Sequence, residues 1–196
     1  MMTAISVLRL IAASAGPDRN ESKHLVQAGT GAVCTSSKAT PIYYSWWESL
    51  PALETPVGYV KAGDEMSLDI SYYSDDGTFF IITLTDNGST VIDQEVAVTG
   101  EPLSQAECVV EAPQQSRYHI GIKFTNYSQL VEFKPATFTD CDVTNSKVAH
   151  HQIGLGSVDG LTVDKINMTD TFRTKASAGN PGSGGAPWTV TWRNPD

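Results

Sequence analysis

An Asn-Gly pair at positions 87 and 88 separates two stretches in which apolar and polar residues alternate. Alternation with a period of two places the apolar side chains on one face of a strand. Asn-Gly is the strongest short-range signal for a tight β-hairpin, because both turn residues must adopt positive φ. The sequence therefore predicts strands over 78–86 and 90–98, joined by a hairpin turn, with a third alternating strand over 66–73.

The rest of the chain repeats this pattern of short strands separated by turn residues. We predict further strands over 24–30, 42–50, 105–113, 118–125, 130–140, 160–168 and 188–192. No stretch has a helical period of useful length. Short, numerous strands in a chain of 196 residues indicate one all-β domain, a sandwich or a barrel.

Charge and hydropathy exclude some classes of partner. The net charge of −9 and the pI near 4.8 argue against binding to nucleic acid or to an anionic membrane surface. No stretch is long enough to span a membrane. We therefore expect neither a nucleic-acid partner nor a membrane partner.

Residues 1–17 differ from the rest of the chain. They are mildly apolar and end in small residues, as a signal peptide does, but the start has no basic residue and Arg9 interrupts the apolar run. We interpret 1–17 as an atypical N-terminal segment, a mis-start or a weak signal, and 18–196 as a single all-β domain.

A further predicted strand, 105–113, has the sequence Gln-Ala-Glu-Cys-Val-Val-Glu-Ala-Pro and contains two carboxylates that are unusual for a strand with so many apolar residues. Glu107 and Glu111 fall on one face, and carboxylates are costly on such a face unless it is wet or functional. At about 3.3 Å per residue they lie roughly 13 Å apart, so a partner for Glu111 must come from another strand. The alternative is a half-exposed strand with two solvated glutamates.

Three segments together resemble the motifs of one enzyme family. The stretch 106–113 resembles the Ala-Glu-Trp-Ile-Val-Glu motif of the glutamic peptidases (eqolisins), with Cys108 in place of tryptophan. The stretch 25–30, Leu-Val-Gln-Ala-Gly-Thr, resembles the family strand that carries the catalytic glutamine, and 44–51 resembles its Trp-Trp/Tyr-Glu-x-x-Pro segment. The three are in the family's order and similarly spaced, and the resemblance covers about residues 18 to 194.

This resemblance implies an antiparallel β-sandwich of two packed sheets, of the concanavalin A-like or jelly-roll type. It also implies a secreted, monomeric acid endopeptidase that acts on polypeptides without metal or organic cofactor. By motif position Glu111 is the general base that activates water, and we expect it to face Gln27 across adjacent strands. Gln27 matches the family's glutamine, whose amide stabilises the tetrahedral intermediate at any pH.

The resemblance also assigns supporting residues and shows departures from the family. Trp46 and Glu48 share a strand face and match residues beside the catalytic pair; Tyr44 and Glu107 are further substrate-binding or supporting candidates. Gly31 stands where many relatives carry an acidic residue. The chain has no counterpart of the family's Trp-Val-Gly-Ile-Asp-Gly strand. From this we expect a shortened sheet with an exposed edge and weak activity or none.

Two other functions remain open on the residues alone. One is a non-catalytic or decayed binding module for carbohydrate or a protein surface, with Trp46 and Tyr44 as an aromatic platform. The other is a glycoside hydrolase that uses Glu48 and Glu111, which would require their carboxyls to be about 5–10 Å apart.

The cysteines and histidines give weaker signals. Three cysteines allow at most one disulfide, with Cys34 and Cys141 a possible pair and Cys108 interpreted as a small buried hydrophobe. Their spacing matches no zinc pattern. His150 and His151 are interpreted as a solvated pair in a polar loop.

Overall fold

The structure is a computed structural model, and all of its described elements are β-strands. It describes residues 2–12, 24–34, 40–72, 79–97, 105–111, 114–119, 122–127, 132–139, 141–144, 152–154, 167–169, 173–180 and 187–193. The chain forms two compact units, residues 1–129 and 130–196. Among the described residues no helix is long and apolar enough to cross a membrane.

The described residues of the first unit form ten strands. In chain order they are β1 (Met2–Ala12), β2 (His24–Cys34), β3 (Ile42–Ser49), β4 (Thr55–Tyr59), β5 (Met66–Tyr72), β6 (Phe79–Asp86), β7 (Ser89–Ala97), β8 (Gln105–Glu111), β9 (Gln114–His119) and β10 (Ile122–Tyr127). They form a five-stranded sheet in the order β4-β3-β2-β1-β8, a three-stranded sheet in the order β5-β6-β7, and a β9–β10 hairpin. All pairings between neighbouring strands are antiparallel.

One face of the five-stranded sheet packs against the three-stranded sheet, and this contact is the core of the unit. Val26 and Ala28 of β2 are fully buried because they alternate with residues that point to the opposite face. They pack in one cluster with residues of β6 and β7, namely Phe80, Ile82, Leu84, Ile92 and Val96. The predicted all-β, antiparallel sandwich fold is therefore confirmed.

The hairpin predicted at Asn87-Gly88 is present. Asn87 has a φ of +48° and Gly88 a φ of +79°, the positive values that a two-residue turn of this kind requires. The turn is further fixed by the Asn87 side chain, whose Oδ1 accepts a hydrogen bond from the Glu65 amide at 3.1 Å. The strands on either side begin or end within one residue of the predicted bounds.

Strand β1 was not anticipated from the sequence, which led us to set residues 1–17 apart. It lies inside the five-stranded sheet, paired with β2 on one side and β8 on the other. A strand in such a position reads as a nearly continuous apolar run, and periodicity alone does not separate such a run from other apolar segments. Its composition therefore resembled the apolar part of a signal peptide.

Some predicted strands differ from the observed ones. The strand predicted over 118–125 is wrong: β9 and β10 pair with each other, with Ile122 opposite His119. Alternation continues through the reversal of the chain at this point, so a period of two gave no indication of a turn. The segment predicted over 130–140 contains only the short strand Ala136–Phe138 in its described part.

The second unit is built from shorter strands. They are β11 (Ala136–Phe138), β12 (Asp142–Thr144), β13 (Gln152–Gly154), β14 (Asn167–Thr169), β15 (Thr174–Ala178) and β16 (Trp188–Trp192). One sheet has the order β11-β16-β15-β14, and β12 pairs with β13. Ala176 and Val190 are buried in this sheet, and the rings of Phe138 and Trp188 stack with centroids 4.8 Å apart.

Candidate active site

The face of the five-stranded sheet opposite to the core carries the polar residues singled out from the sequence. Strand alternation sends Val26 and Ala28 to the core and Gln27 to this face. Gln27 pairs in register with Glu48 of β3, and Gly29 pairs with Trp46. Trp46 and Glu48 therefore lie on the same face of the sheet, as expected.

Two rows of residues cross this face at right angles to the strands. The Gln27 row consists of Glu48, Gln27, Arg9 and Glu107, and the Tyr44 row consists of Tyr44, Gly31, Ile5 and Glu111. Four residues separate the rows along each strand, which corresponds to about 13 Å. Gly29 of β2 lies between the two rows, so β2 contributes no side chain to the surface there.

The side chains of Gln27 and Glu48 are brought together. The Gln27 Nε2 group donates a hydrogen bond to Glu48 Oε2, and Gln27 is only 6% exposed. A charge-assisted hydrogen bond of this type fixes which end of the amide carries the N–H groups. The amide of Gln27 therefore has a defined orientation on the site face.

Glu111 does not lie on a strand adjacent to that of Gln27, and the expectation that it would is wrong. Strand β1 separates β2 from β8, and Glu111 belongs to the Tyr44 row, whereas Glu107 belongs to the Gln27 row. The motifs gave the order of the strands along the chain, but strand order in a sheet depends on long-range pairing. No motif in the sequence placed β1.

Trp46 is almost completely buried between the two rows of the site face. It is 2% exposed and packs against Tyr44 of its own strand and Val109 of β8. Its indole Nε1 donor is buried and has no acceptor within the described part of the chain. A buried donor without an acceptor is costly, and such groups are few in folded proteins.

Tyr44 lies over Gly31. A Cβ atom built at Gly31 would stand 2.5 Å from Cζ of Tyr44 and 2.8 Å from its hydroxyl oxygen. The tyrosine ring therefore occupies the space that a side chain at position 31 would need. In this protein the position where relatives carry an acid is covered by an aromatic ring.

The Tyr44 hydroxyl donates a hydrogen bond to Glu54, a residue that sequence reasoning missed. Glu54 lies in the loop between β3 and β4, outside every motif, and no periodicity points to it. The only available signal was its position three residues after Pro51, in the loop that follows the Trp-Trp-Glu segment. It brings a further carboxyl to the site.

Burial and like charges set the protonation of this tyrosine–glutamate pair. Partial burial raises the pKa of the Glu54 carboxyl, the Tyr44 hydrogen bond opposes that rise, and the charges of Glu48 and Glu111 add to it. Burial, with a contribution from Glu54, also raises the pKa of the Tyr44 hydroxyl. Tyr44 thus stays neutral and remains a donor, while Glu54 holds its proton longer than an ordinary glutamate.

Replacing Gly31 by alanine should destabilise the fold by about 1–3 kcal/mol, because the new methyl group collides with the Tyr44 ring. In a Tyr44→Ala background the same replacement should cost far less, since the ring is gone. Chemical denaturation of the two single variants and the double variant measures the coupling, expected to be on the order of 0.5–3 kcal/mol. Equal costs of Gly31→Ala in both backgrounds would show that the ring is not what excludes a side chain here.

The remaining candidates from the sequence are the cysteines and the histidines. Cys108 and Cys141 are both disulfide-bonded, so the interpretation of Cys108 as a small buried hydrophobe is wrong, and so is the possible pair of Cys34 with Cys141. Strand position could not indicate a covalent partner, and the Cys108 side chain is only partly buried. Within the described ranges no group of three or more His, Cys, Asp or Glu residues is arranged to hold a metal ion. His150 and His151 lie outside the described residues.

The fold is similar to that of two solved glutamic peptidases. Aspergilloglutamic peptidase from Aspergillus niger superposes with a TM-score of 0.68 at 17% identity, over 98% of this chain and 100% of that chain. A scytalido-glutamic peptidase bound to a peptide-based transition-state analogue superposes with a TM-score of 0.70 at 15% identity, over 98% and 84%. At this identity the likeness shows the fold alone. A comparison with curated protein sequences found no match.

A sequence comparison establishes the class. The family model of peptidase A4 matches residues 6–183, from within β1 to beyond β15. The chain therefore belongs to the peptidase A4 family, the glutamic peptidases, as the three motifs indicated. It is a hydrolase of the glutamic endopeptidase class, and its substrate is polypeptide.

Proposed function

We propose that this chain is an acid endopeptidase in which Glu111 is the general base and Gln27 stabilises the tetrahedral intermediate. The observation that carries the proposal is the partly buried hydrogen bond from Gln27 to Glu48, on the same sheet face as Glu111. A glutamine held in one orientation by a carboxylate is suited to electrostatic stabilisation, since a preorganised donor needs no reorganisation during the reaction.

The steps assigned to the two residues are complementary. Glu111 accepts a proton from water as the water oxygen attacks the scissile carbonyl carbon. The carbonyl oxygen becomes negatively charged, and Gln27 Nε2 donates a hydrogen bond to it through the N–H that is not directed at Glu48. The proton on Glu111 then passes to the leaving nitrogen as the C–N bond breaks.

The geometry imposes one requirement on this mechanism. The backbone positions of Gln27 and Glu111 belong to different rows, so their side chains must extend toward each other over the residues between the rows, which include Gly29. Gly29 has no side chain that could obstruct such an arrangement. An extended peptide bound there would pass between the two rows.

Glu107 is a second candidate for the general base. It lies in the Gln27 row, two strands away, with Arg9 of β1 at the intervening position. The family motif assigns the role of general base to Glu111, whereas the strand register places Glu107 in the same row as Gln27. Parallel replacement of each glutamate by glutamine distinguishes the two assignments.

Work in acid, secretion and a monomeric state belong to this proposal as well. A glutamine amide keeps its N–H groups at any pH, whereas a site with several carboxyls becomes less charged in acid. The net charge of −9 fits the same condition, because many surface carboxylates are neutral there. We propose no nucleic-acid or membrane partner and no cofactor.

Digestion of a denatured protein should peak in acid and continue in the presence of inhibitors directed at serine, cysteine and metal-dependent peptidases. The physical reason is that the proposed reaction uses no hydroxyl or thiol nucleophile and no metal ion. Activity is measured by release of peptides across pH 2 to about 8, with and without chelator. A maximum near neutral pH, or loss of activity on adding chelator, would contradict the proposal.

A further inference from the structure

In the described part of the five-stranded sheet, β4 is the outermost strand on one side, and it is exposed at every residue. Tyr59 of this strand is 85% exposed and pairs in register with Tyr44 of β3. Directly paired residues of neighbouring strands point to the same face of a sheet. Tyr59 therefore lies on the site face and extends the Tyr44 row by one strand.

Ile42 brings a second exposed apolar side chain to the same place. It lies two residues before Tyr44 on β3, hence on the same face, and is 46% exposed. A residue two positions away on the neighbouring strand is a diagonal neighbour, within reach of an aromatic side chain. Tyr59, Tyr44 and Ile42 thus form one apolar surface beside the cleft, which we call the Tyr59 patch.

The Tyr59 patch is uncharged, although the chain as a whole has a net charge of −9. Strand β4 has the sequence Thr-Pro-Val-Gly-Tyr, and β3 has no charged residue before Glu48. Exposed apolar side chains that adjoin one another, unlike those scattered singly, indicate a contact surface. Such a surface is suited to an apolar group and disfavours a charged one, which would lose water there.

We propose that the Tyr59 patch is a specificity subsite of this peptidase and binds an apolar side chain of the substrate about three or four residues from the scissile bond. The inference rests on the proposed function and adds to it a preference for one class of substrate. The occupant is the polypeptide substrate itself, because the patch continues the face on which the peptide is cleaved.

Strand spacing sets the position of the patch along the substrate. In the proposed mechanism the scissile bond lies between Gln27 of β2 and Glu111 of β8, and the peptide crosses the strands between the two rows. From β2 to β4 is roughly 10 Å and from β1 to β4 roughly 14 Å, at about 4.8 Å for each strand. An extended peptide advances about 3.3 Å per residue, so it reaches β4 about three or four residues from the scissile bond.

Binding at the Tyr59 patch should affect affinity rather than chemistry. Tyr59 is two strands away from Gln27, so its contacts with a peptide form equally in the bound substrate and in the transition state. Contacts of this kind lower KM and leave kcat unchanged. Because Tyr59 is exposed, its replacement should disturb the fold little.

The first test compares Tyr59→Ser with wild type on fluorogenic peptides that differ in one residue, which is leucine, serine or aspartate. That residue is moved through about four positions on either side of the scissile bond. At one position three or four residues away, wild type should prefer leucine to serine about five- to tenfold in kcat/KM, because part of the side chain leaves water. Aspartate should be the poorest there. Tyr59→Ser should lose most of this preference through KM and keep the preferences at all other positions.

Three further variants show whether the effect is local to the patch. Ile42→Ser should weaken the leucine preference at the same position as Tyr59→Ser does. Tyr59→Phe should retain it, because the ring and not the hydroxyl provides the apolar contact. Phe79→Ser is the matched control: Phe79 is 38% exposed at the start of β6, in the three-stranded sheet, and its replacement should keep every wild-type preference.

A binding measurement tests the same subsite without turnover. The probe is a peptide whose scissile amide is replaced by a hydroxyethylene group, so its affinity does not depend on which glutamate is the base. Tyr59→Ser should bind the leucine-bearing peptide about five- to tenfold more weakly than wild type does. Its affinity for the serine-bearing peptide should be unchanged.

The outcomes separate this inference from the proposed function. A wild type without a leucine preference three or four residues from the scissile bond overturns the subsite, and so does a Tyr59→Ser variant that keeps the preference. Equal loss at every position, or equal loss in Phe79→Ser, also overturns it, because the effect would not be local. Full activity of Glu111→Gln would instead refute the proposed base, and the affinity for the uncleavable peptide would still decide on the subsite.

Discussion

Replacing Glu111 by glutamine is expected to lower kcat/KM by about 10²–10⁴-fold, because general-base catalysis contributes that much. Glutamine has nearly the same size as glutamate but cannot accept the proton of the attacking water. The loss should appear in kcat, with KM changed little, since the lost interaction forms as the water is deprotonated. Hydrolysis of one fluorogenic peptide at the acid optimum provides the measurement.

Two matched replacements make this result specific. Glu107→Gln should lose far less activity than Glu111→Gln, and Glu95→Gln on β7 should lose none. A larger loss in Glu107→Gln would assign the base to the Gln27 row, as the strand register allows. Unfolding midpoints of the three variants, compared with wild type, separate loss of chemistry from loss of fold.

Replacing Gln27 by alanine is expected to lower kcat by about 10²–10³-fold, the usual effect of removing one donor to a developing oxyanion. It also leaves the Glu48 carboxylate without the hydrogen bond that Gln27 now donates. Some loss of stability should accompany the loss of activity, because a partly buried charged acceptor loses its partner.

Gln27→Glu gives a sharper result than alanine. Two carboxyls in hydrogen-bond contact repel each other when both are ionised, so one of them holds a proton well above its ordinary range. A protonated Glu at position 27 still has an O–H donor, and activity should partly return at the acid end of the profile. It should then fall with rising pH earlier than in the wild type. Equal activity of Gln27→Glu and Gln27→Ala at every pH would contradict a donor role for position 27.

The sequence predicted those parts of the fold that depend on local pattern. The turn at Asn87-Gly88 requires only positive φ at two residues, and its strands require only alternation. Both could therefore be predicted from the local sequence. Strand β1 could not be placed, because its apolar run has no turn signal and its position depends on pairing with β2 and β8. Strand order within a sheet is a property of distant contacts, which no single segment encodes.

The shared sheet face of the candidate residues could be predicted from motifs and strand parity, but contacts that depend on packing could not. Gln27, Trp46 and Glu48 fall on one sheet face as motif order and strand parity predicted. Glu54 was missed because it enters the site from a loop and is selected by a contact with Tyr44 that no spacing rule describes. The departure at Gly31 was visible in the sequence, but its structural counterpart, the ring of Tyr44, was not.

The most direct test of the proposed dyad is a crystal structure with a peptide whose scissile amide is replaced by a hydroxyethylene group. Its hydroxyl takes the place of the tetrahedral oxygen formed by the attack of water. We expect this hydroxyl within about 3.2 Å of both a Glu111 carboxylate oxygen and Gln27 Nε2. A hydroxyl bound by Glu107 or Glu48, with Glu111 beyond hydrogen-bond distance, would contradict the assignment of Glu111 as the base.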